Sequence, residues 1–111
     1  MTKKTEVSFI TPNLKSEYEG LKEGKFEDKQ LHKFITRARN DLESNPFSGV
    51  RVPKKLWPKI YLQKYRITNL WKYDLPNGWR LTYIIESSEV KIMSIILEWF
   101  SHEDYEKRFK Y

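Results

Sequence analysis

The sequence contains no cysteine and only two histidines, and these shortages exclude several kinds of site. Without cysteine there is neither a disulfide nor a thiolate metal site, and an intracellular location is favoured. His32 and His102 are far apart along the chain, and neither has a partner at metal-binding spacing. The residues therefore predict no metal site.

Long apolar runs are also missing. A helix that crosses a bilayer needs roughly 20 apolar residues, whereas the longest strong stretch, Ile92–Phe100, is interrupted by Ser94 and Glu98. Met1–Glu6 are charged and are not followed by the hydrophobic region of a signal peptide. We therefore expect a cytoplasmic protein.

Basic residues outnumber acidic ones in this chain. The chain has 21 Lys and Arg against 15 Asp and Glu, which gives a net charge of +6. A charge of this size favours polyanions or an acidic protein partner.

The length of 111 residues, without a repeat or a linker, predicts one domain over residues 1–111.

The N-terminal half is predicted to hold a strand and two helices. The segment Glu6–Ile10 begins with an alternation of polar and apolar residues, which Ile10 breaks, and this indicates a short strand. Thr11, followed by proline, is typical of an N-cap, and Gly20 or Gly24 would end this first helix. The second helix ends before Pro46 and is indicated by apolar residues at helical spacing: Leu31, Phe34, Ile35, Ala38 and Leu42.

The C-terminal half is predicted to form a β-meander closed by a helix. An irregular segment, Pro46–Lys59, leads into one helical turn through Tyr61–Tyr65. The three predicted strands are Asn69–Leu75, Gly78–Glu86 and Val90–Trp99. Ser101 would cap a closing helix over residues 101–111. The predicted fold is α+β: an N-terminal strand, a helical hairpin, a three- to four-stranded antiparallel sheet with the helices on one face, and a short C-terminal helix.

The hairpin connection Pro76–Gly78 determines which side chains share a face. Asn77 with Gly78 alone would suggest a two-residue turn, but that register mixes polar and apolar side chains on both faces. A three-residue loop puts Asn77 in a type I turn, gives Gly78 the left-handed position and sets Asp74 opposite Arg80. One face is then apolar: Trp71, Tyr73, Leu75, Trp79, Leu81, Tyr83 and Ile85. The other face is polar: Lys72, Asp74, Arg80 and Thr82.

In this register Arg80 has a carboxylate as its neighbour across the hairpin. Asp74 lies directly across from it and orients its guanidinium, which can then present two parallel donors to a phosphate. The alternative is an exposed Asp74–Arg80 pair that contributes under about 1 kcal/mol and has no further role.

The segment Trp79-Arg-Leu-Thr-Tyr83 resembles the aromatic-Arg-Leu-x-Tyr strand of the RelE/ParE toxin superfamily. Tyr105, beyond the last predicted strand, resembles the C-terminal tyrosine of that family. The similarity covers about Leu31–Phe109 and includes the order of the elements. RelE-like nucleases usually carry a further arginine between the last strand and this tyrosine, whereas Trp99–Asp104 contains none.

The resemblance implies a toxin of a type II toxin–antitoxin system that cleaves mRNA in the ribosomal A site and is neutralised by a cognate antitoxin. In such enzymes the 2′-hydroxyl attacks the neighbouring phosphate without a metal or cofactor. Arg80 would stabilise the phosphorane, Tyr105 would align or deprotonate the 2′-hydroxyl or stack on a base, and His102 would act as acid or base. The residues expected to hold the RNA backbone are Lys64, Arg66, Lys72, Lys54 and Lys55.

Other interpretations remain open from the sequence. The same scaffold could bind RNA or a protein partner without catalysis, or could target DNA gyrase as ParE-like toxins do. His102 could be an ordinary surface residue, and Tyr105 could simply seal the sheet against the last helix. Lys54 and Lys55 could belong to a solvated loop.

Overall fold

The computed structural model describes residues 3–109, which form five strands and four helices. In chain order these are β1 (Lys4–Phe9), α1 (Pro12–Gly20), α2 (Phe26–Ser44), β2 (Val50–Arg51), α3 (Lys59–Tyr65), β3 (Trp71–Asp74), β4 (Arg80–Ser87), β5 (Lys91–Phe100) and α4 (His102–Phe109). The α+β class, the N-terminal strand and the short C-terminal helix are confirmed. Residues 110–111, at the end of the predicted closing helix, lie outside the described residues.

The sheet is larger and less uniform than predicted. Its strand order is β1-β5-β4-β3-β2, with β1 parallel to β5 and the other pairs antiparallel. The sequence predicted three or four antiparallel strands. The second strand, Val50–Arg51, has only two residues and is too short to show any periodicity. The parallel pairing of β1 joins the two ends of the chain, and no local pattern specifies it.

Helices cover both faces of the sheet, so the prediction that they pack on one face is wrong. The first face packs against α1 and α2 in a core that includes Leu42, Leu81 and Ile96. The second face packs against α3 and α4 in a separate core that includes Ile84 and Leu97. In the middle of β4, residues 81–84 are all buried, as is usual for a strand covered on both sides.

The predicted hairpin register is confirmed, but its turn is different. Asp74 pairs with Arg80, and the backbone N–H of Leu75 donates to the carbonyl of Trp79 at 2.7 Å. Asn77, however, has φ 60° and ψ 30°, so it adopts the left-handed conformation and the turn is not type I. Asparagine tolerates this conformation better than most residues.

Thr82 was predicted on the exposed polar face and is in fact fully buried. Its hydroxyl lies 3.0 Å from the hydroxyl of Tyr61 on α3, which closes over this part of the sheet. Burial raises the pKa of Tyr61, and the nearby Glu98 carboxylate raises it further. Only the end of the polar face that carries Lys72, Asp74 and Arg80 remains open.

Side-chain caps begin two of the helices, as the sequence predicted. The Thr11 hydroxyl accepts a hydrogen bond from the backbone N–H of Leu14 at 3.1 Å. The Ser101 hydroxyl accepts one from the backbone N–H of Asp104 at 3.3 Å, at the start of α4. Each bond satisfies a donor that the first helical turn would otherwise leave unpaired. In the described part of the chain, no helix is both long and apolar enough to cross a membrane.

Gly49 lies where the chain between α2 and β2 passes close to the sheet. Its N–H donates to the hydroxyl of Tyr83 at 3.1 Å, and that hydroxyl donates to the carbonyl of Pro46 at 2.8 Å. A Cβ atom at Gly49 would lie 2.4 Å from the Lys72 carbonyl oxygen and 2.6 Å from the Tyr83 hydroxyl. The close approach therefore requires glycine.

We predict that Gly49→Ala lowers the free energy of unfolding by about 1–3 kcal/mol, because backbone must move to admit the methyl group. Urea unfolding followed by circular dichroism measures the change. The matched control is Gly20→Ala, where an added Cβ meets nothing within 4 Å and should be neutral or slightly stabilising. Equal stability of the two variants would contradict the packing described here.

Candidate functional site

Arg80 occupies the first position of β4, in the interior of the sheet. It pairs with Asp74 on β3 and with Phe100 on β5. Because directly opposed residues share a face of an antiparallel sheet, all three side chains lie on the face covered by α3 and α4. The Arg80 side chain keeps 22% of its surface exposed, so its guanidinium is supported by the protein and open at one end.

Two contacts fix the direction of the Arg80 guanidinium. Its Nε donates to Oδ1 of Asp74 at 3.1 Å, and its central carbon lies 4.7 Å from the centroid of the Tyr105 ring. The Lys72 ammonium also approaches Oδ1 of Asp74, at 3.5 Å. A guanidinium held by a carboxylate at its edge and an aromatic ring at its face has little rotational freedom.

Tyr105 is the support beneath Arg80. Its residue surface is 1% exposed, and its ring stacks on Phe109 with centroids 4.3 Å apart and meets Phe100 edge-on at 6.0 Å. The predicted roles of Tyr105, contact with the 2′-hydroxyl or stacking on a base, require an exposed ring. The structure instead gives the ring the role of sealing the sheet against α4, an alternative that the sequence had left open.

His102 lies beside Arg80 at the start of α4. Its Nδ1 is 3.4 Å from Nη1 of Arg80, and its Nε2 is 2.9 Å from Oε1 of Glu106, one helical turn later. An ionised carboxylate only accepts and a guanidinium only donates. The arrangement therefore assigns the ring proton to Nε2 and leaves the lone pair of Nδ1 facing Arg80. His102 keeps 59% of its side-chain surface exposed, and each of its two ring nitrogens has one polar contact.

The hairpin loop makes room for His102. Gly78 has φ +78°, and a Cβ atom there would lie 3.3 Å from the Cβ of His102. The turn between β3 and β4 thus packs directly against the start of α4. The same hairpin that sets Asp74 opposite Arg80 also positions the histidine.

Arg80 keeps an open donor in this arrangement. Within residues 3–109, its Nη2 makes no hydrogen bond, whereas Nε and Nη1 contact Asp74 and His102. We name the set formed by Lys72, Asp74, Arg80, His102, Tyr105 and Glu106 the Arg80 cluster. Chemically, the cluster offers an oriented guanidinium for an anion and, beside it, an imidazole whose Nδ1 faces the guanidinium.

The other predicted RNA-binding residues lie elsewhere. Lys64 is near the end of α3, with its ammonium 5.3 Å from the Tyr65 ring, and Arg66 follows that helix in the left-handed conformation, with φ 50°. Lys54 and Lys55 form a 3₁₀ turn before α3. Among the described residues, no hydrogen bond or ion pair joins any of these four to the Arg80 cluster. Only Lys72 of the predicted binding residues belongs to it.

Glu106 is the member of the cluster that the sequence analysis missed. Its i,i+4 spacing from His102 was a usable signal, because residues four apart share a helix face. Arg108, further along α4, does not replace the arginine missing before Tyr105. It instead pairs with Glu98 at 3.1 Å, so it does not supply a second guanidinium to the cluster.

The comparisons with known proteins are negative: no family model, no curated protein and no solved structure matches the chain. Within residues 3–109, no group of three or more His, Asp and Glu side chains lies close enough to hold a metal ion. The geometry of the Arg80 cluster is therefore the basis for any assignment of function.

We predict that neutral His102 carries its ring proton on Nε2 and that Glu106→Ala weakens this preference, because the acceptor for that proton is lost. The tautomer is read from the ¹⁵N shifts of the ring, recorded at a pH where imidazole is neutral. Glu103→Ala is the matched control, since Glu103 pairs with Lys107 at 3.6 Å and not with His102. A proton found on Nδ1 in the unmodified protein would contradict the arrangement.

Proposed function

We propose that this chain is a RelE-like toxin of a type II toxin–antitoxin system, a ribosome-dependent endonuclease that cleaves mRNA in the A site. The observation that carries the proposal is the Arg80 guanidinium, anchored by Asp74 and Tyr105, with Nη2 open and His102 at its side. This is the arrangement that cleavage by a neighbouring hydroxyl requires: fixed positive charge beside a proton acceptor.

Arg80 would act on the phosphate. In the reaction the 2′-oxygen bonds to phosphorus, and negative charge builds on the two non-bridging oxygens of the phosphorane. A guanidinium that is already oriented stabilises this charge without reorganising during the step. Orientation matters more than net charge here, because the two cations Lys72 and Arg80 are balanced by the carboxylates of Asp74 and Glu106.

His102 would move the proton. Because Nε2–H donates to Glu106, Nδ1 is the ring nitrogen with a lone pair. This atom would take the proton of the 2′-hydroxyl. The Glu106 carboxylate then stabilises the imidazolium, as an acidic partner does for other catalytic histidines. The bond from phosphorus to the 5′-oxygen breaks, this leaving oxygen takes a proton from solvent water, and His102 returns its proton to the solvent. The products are a 2′,3′-cyclic phosphate and a 5′-hydroxyl.

Attraction to RNA would come from the whole chain and not from the Arg80 cluster alone. The net charge of +6 favours approach to a polyanion such as ribosomal RNA. Lys72 would contact the mRNA backbone beside the scissile phosphate, and Lys64 and Arg66 would contact it further away. The cytoplasm is the compartment where such a toxin meets both ribosomes and its antitoxin.

We predict that Arg80→Ala lowers the rate of mRNA cleavage on ribosomes about 100- to 1000-fold, the usual cost of removing a donor that stabilises transition-state charge. Primer extension on mRNA incubated with ribosomes and the purified protein measures the cleavage. Arg80→Lys should retain only part of the rate, because an ammonium cannot present two parallel donors. Arg37→Ala, at an exposed position of α2, is the matched control and should cleave as the unmodified protein does.

Three results would contradict the proposal. If Arg80→Ala left the rate of mRNA cleavage unchanged, Arg80 would have no role in the reaction. Salt-dependent RNA binding without cleavage products would favour a non-catalytic binding protein. Growth arrest accompanied by DNA-damage signalling and intact mRNA would favour a gyrase-targeting toxin.

A further inference from the structure

β1 is an edge strand with an open outer side. In the sheet it pairs with β5 alone. The strand at the opposite edge, β2, has only two residues, whereas β1 has six. β1 is therefore the long free edge of the sheet.

The main-chain groups of β1 alternate between the two sides of the strand. The backbone N–H of Lys4 donates to the carbonyl of Val90, on the side of β5, at 3.0 Å. Because the N–H and C=O groups of successive residues in a strand point to opposite sides, those of Thr5, Val7 and Phe9 point outward. Within residues 3–109, no group bonds to them. A row of such unpaired groups is a template for another strand.

The side chains of β1 permit such pairing. Val7 and Phe9 pack into the core of the first face and are not in the way. On the second face, the carboxylate of Glu6 contacts the ammonium groups of Lys4 at 3.4 Å and of Lys91 at 3.3 Å. Charged side chains often protect an edge strand from pairing, but here the carboxylate is already neutralised.

Two residues of α2 lie over β1 and carry opposite charges. The guanidinium carbon of Arg39 lies 5.4 Å from the centroid of the Phe9 ring. One helical turn later, the backbone carbonyl of Glu43 accepts a hydrogen bond from the hydroxyl of Thr5. Within residues 3–109, neither Arg39 nor Glu43 makes an ion pair, and Nε of Arg39 is buried without a hydrogen-bond partner. α2 thus places a cation over one end of β1 and an anion over the other.

We propose that two copies of this chain associate through β1, with the two strands antiparallel about a twofold axis at Val7. In this register Val7 lies opposite Val7 of the second copy, and Thr5 lies opposite Phe9 of the second copy. Each such pair exchanges two main-chain hydrogen bonds, so the outward groups of all three residues find partners. A register shifted by two residues toward the N-terminus would instead oppose the two Glu6 carboxylates.

The charges of α2 match this register. Because Thr5 lies opposite Phe9 of the second copy, Glu43 comes beside Arg39 of the second copy, and the twofold axis repeats the pair. A strand from another protein could bond to the same main-chain groups, but it need not carry charges in the matching order. A second copy always carries them, so it is the partner that fits β1.

Sedimentation equilibrium of the full chain between about 1 and 200 μM, the range expected for a small interface, should show monomer and dimer in equilibrium. Arg39→Glu and Glu43→Arg should each weaken dimerisation at least about tenfold, because each opposes like charges across the axis. An equimolar mixture of the two variants should dimerise again, since each chain then meets opposite charges on its partner. Only a contact between chains produces this recovery.

Amide hydrogen exchange of the unmodified chain, followed by NMR, locates the contact. Exchange at Thr5, Val7 and Phe9 should slow as the concentration rises, because their N–H groups become hydrogen-bonded in the dimer. Glu6 and Ser8 are the internal controls. Their N–H groups bond to β5 within each chain, so their exchange should change much less.

Arg37→Glu is the matched control for the change of charge. Arg37 is an exposed residue of α2. Asp41 lies one turn later on the same helix face and contacts Tyr73 of β3, so this face of α2 is turned away from β1. Arg37→Glu should dimerise as the unmodified chain does. Circular dichroism of every variant checks that it is folded.

Four results would overturn the inference. The first is a chain that sediments as a monomer at every concentration. The second is a mixture of Arg39→Glu and Glu43→Arg that stays monomeric. The third is exchange at Thr5, Val7 and Phe9 that does not depend on concentration, which would place any dimer contact elsewhere. The fourth is protection of these amides only when a single-stranded RNA oligonucleotide is added, which would make a nucleic acid the occupant. Because β1 and α2 share no residue with the Arg80 cluster, loss of dimerisation and loss of cleavage can be distinguished.

Discussion

The contact between the Tyr105 ring and the Arg80 guanidinium joins the two elements that form the candidate site. Arg80 comes from the interior of the sheet, and Tyr105 comes from the helix that closes over it, with 4.7 Å between the guanidinium carbon and the ring centroid. The same helix carries His102 on its first turn and Glu106 on its second. If α4 did not pack on the sheet through Tyr105 and Phe109, neither the histidine nor its carboxylate partner would lie beside Arg80.

The sequence predicted the parts of this arrangement that depend on local patterns. The alternation of polar and apolar residues set the register of the hairpin, because a shift by one residue would have exchanged its faces. That register placed Asp74 opposite Arg80, as the structure has it. The turn was predicted only in part. Gly78 has the positive φ that was predicted, but Asn77 also has a positive φ, and the strands still connect in the same register.

The sequence did not predict what covers the polar face. Thr82 looked like an exposed residue, but a hydrogen bond between its hydroxyl and that of Tyr61 permits its burial. Nothing in the local sequence specifies that partner, which lies 21 positions away. The basic residues show the same limit. Lys54, Lys55, Lys64 and Arg66 are close in sequence to the functional half of the chain, but charge alone does not determine where a flexible side chain lies.

Rate measurements on Tyr105 variants test the central claim most directly, which is that Tyr105 supports Arg80 and takes no part in proton transfer. The measurement is ribosome-dependent cleavage by Tyr105→Phe and Tyr105→Leu. Tyr105→Phe keeps the ring under the guanidinium, so we predict a rate within about tenfold of that of the unmodified protein. A group that acts as acid or base contributes about 100-fold or more. Tyr105→Leu removes the aromatic face and should cleave more slowly than Tyr105→Phe. A 100-fold or greater loss of cleavage rate for Tyr105→Phe would contradict the account, because it would show that the Tyr105 hydroxyl takes part in the reaction.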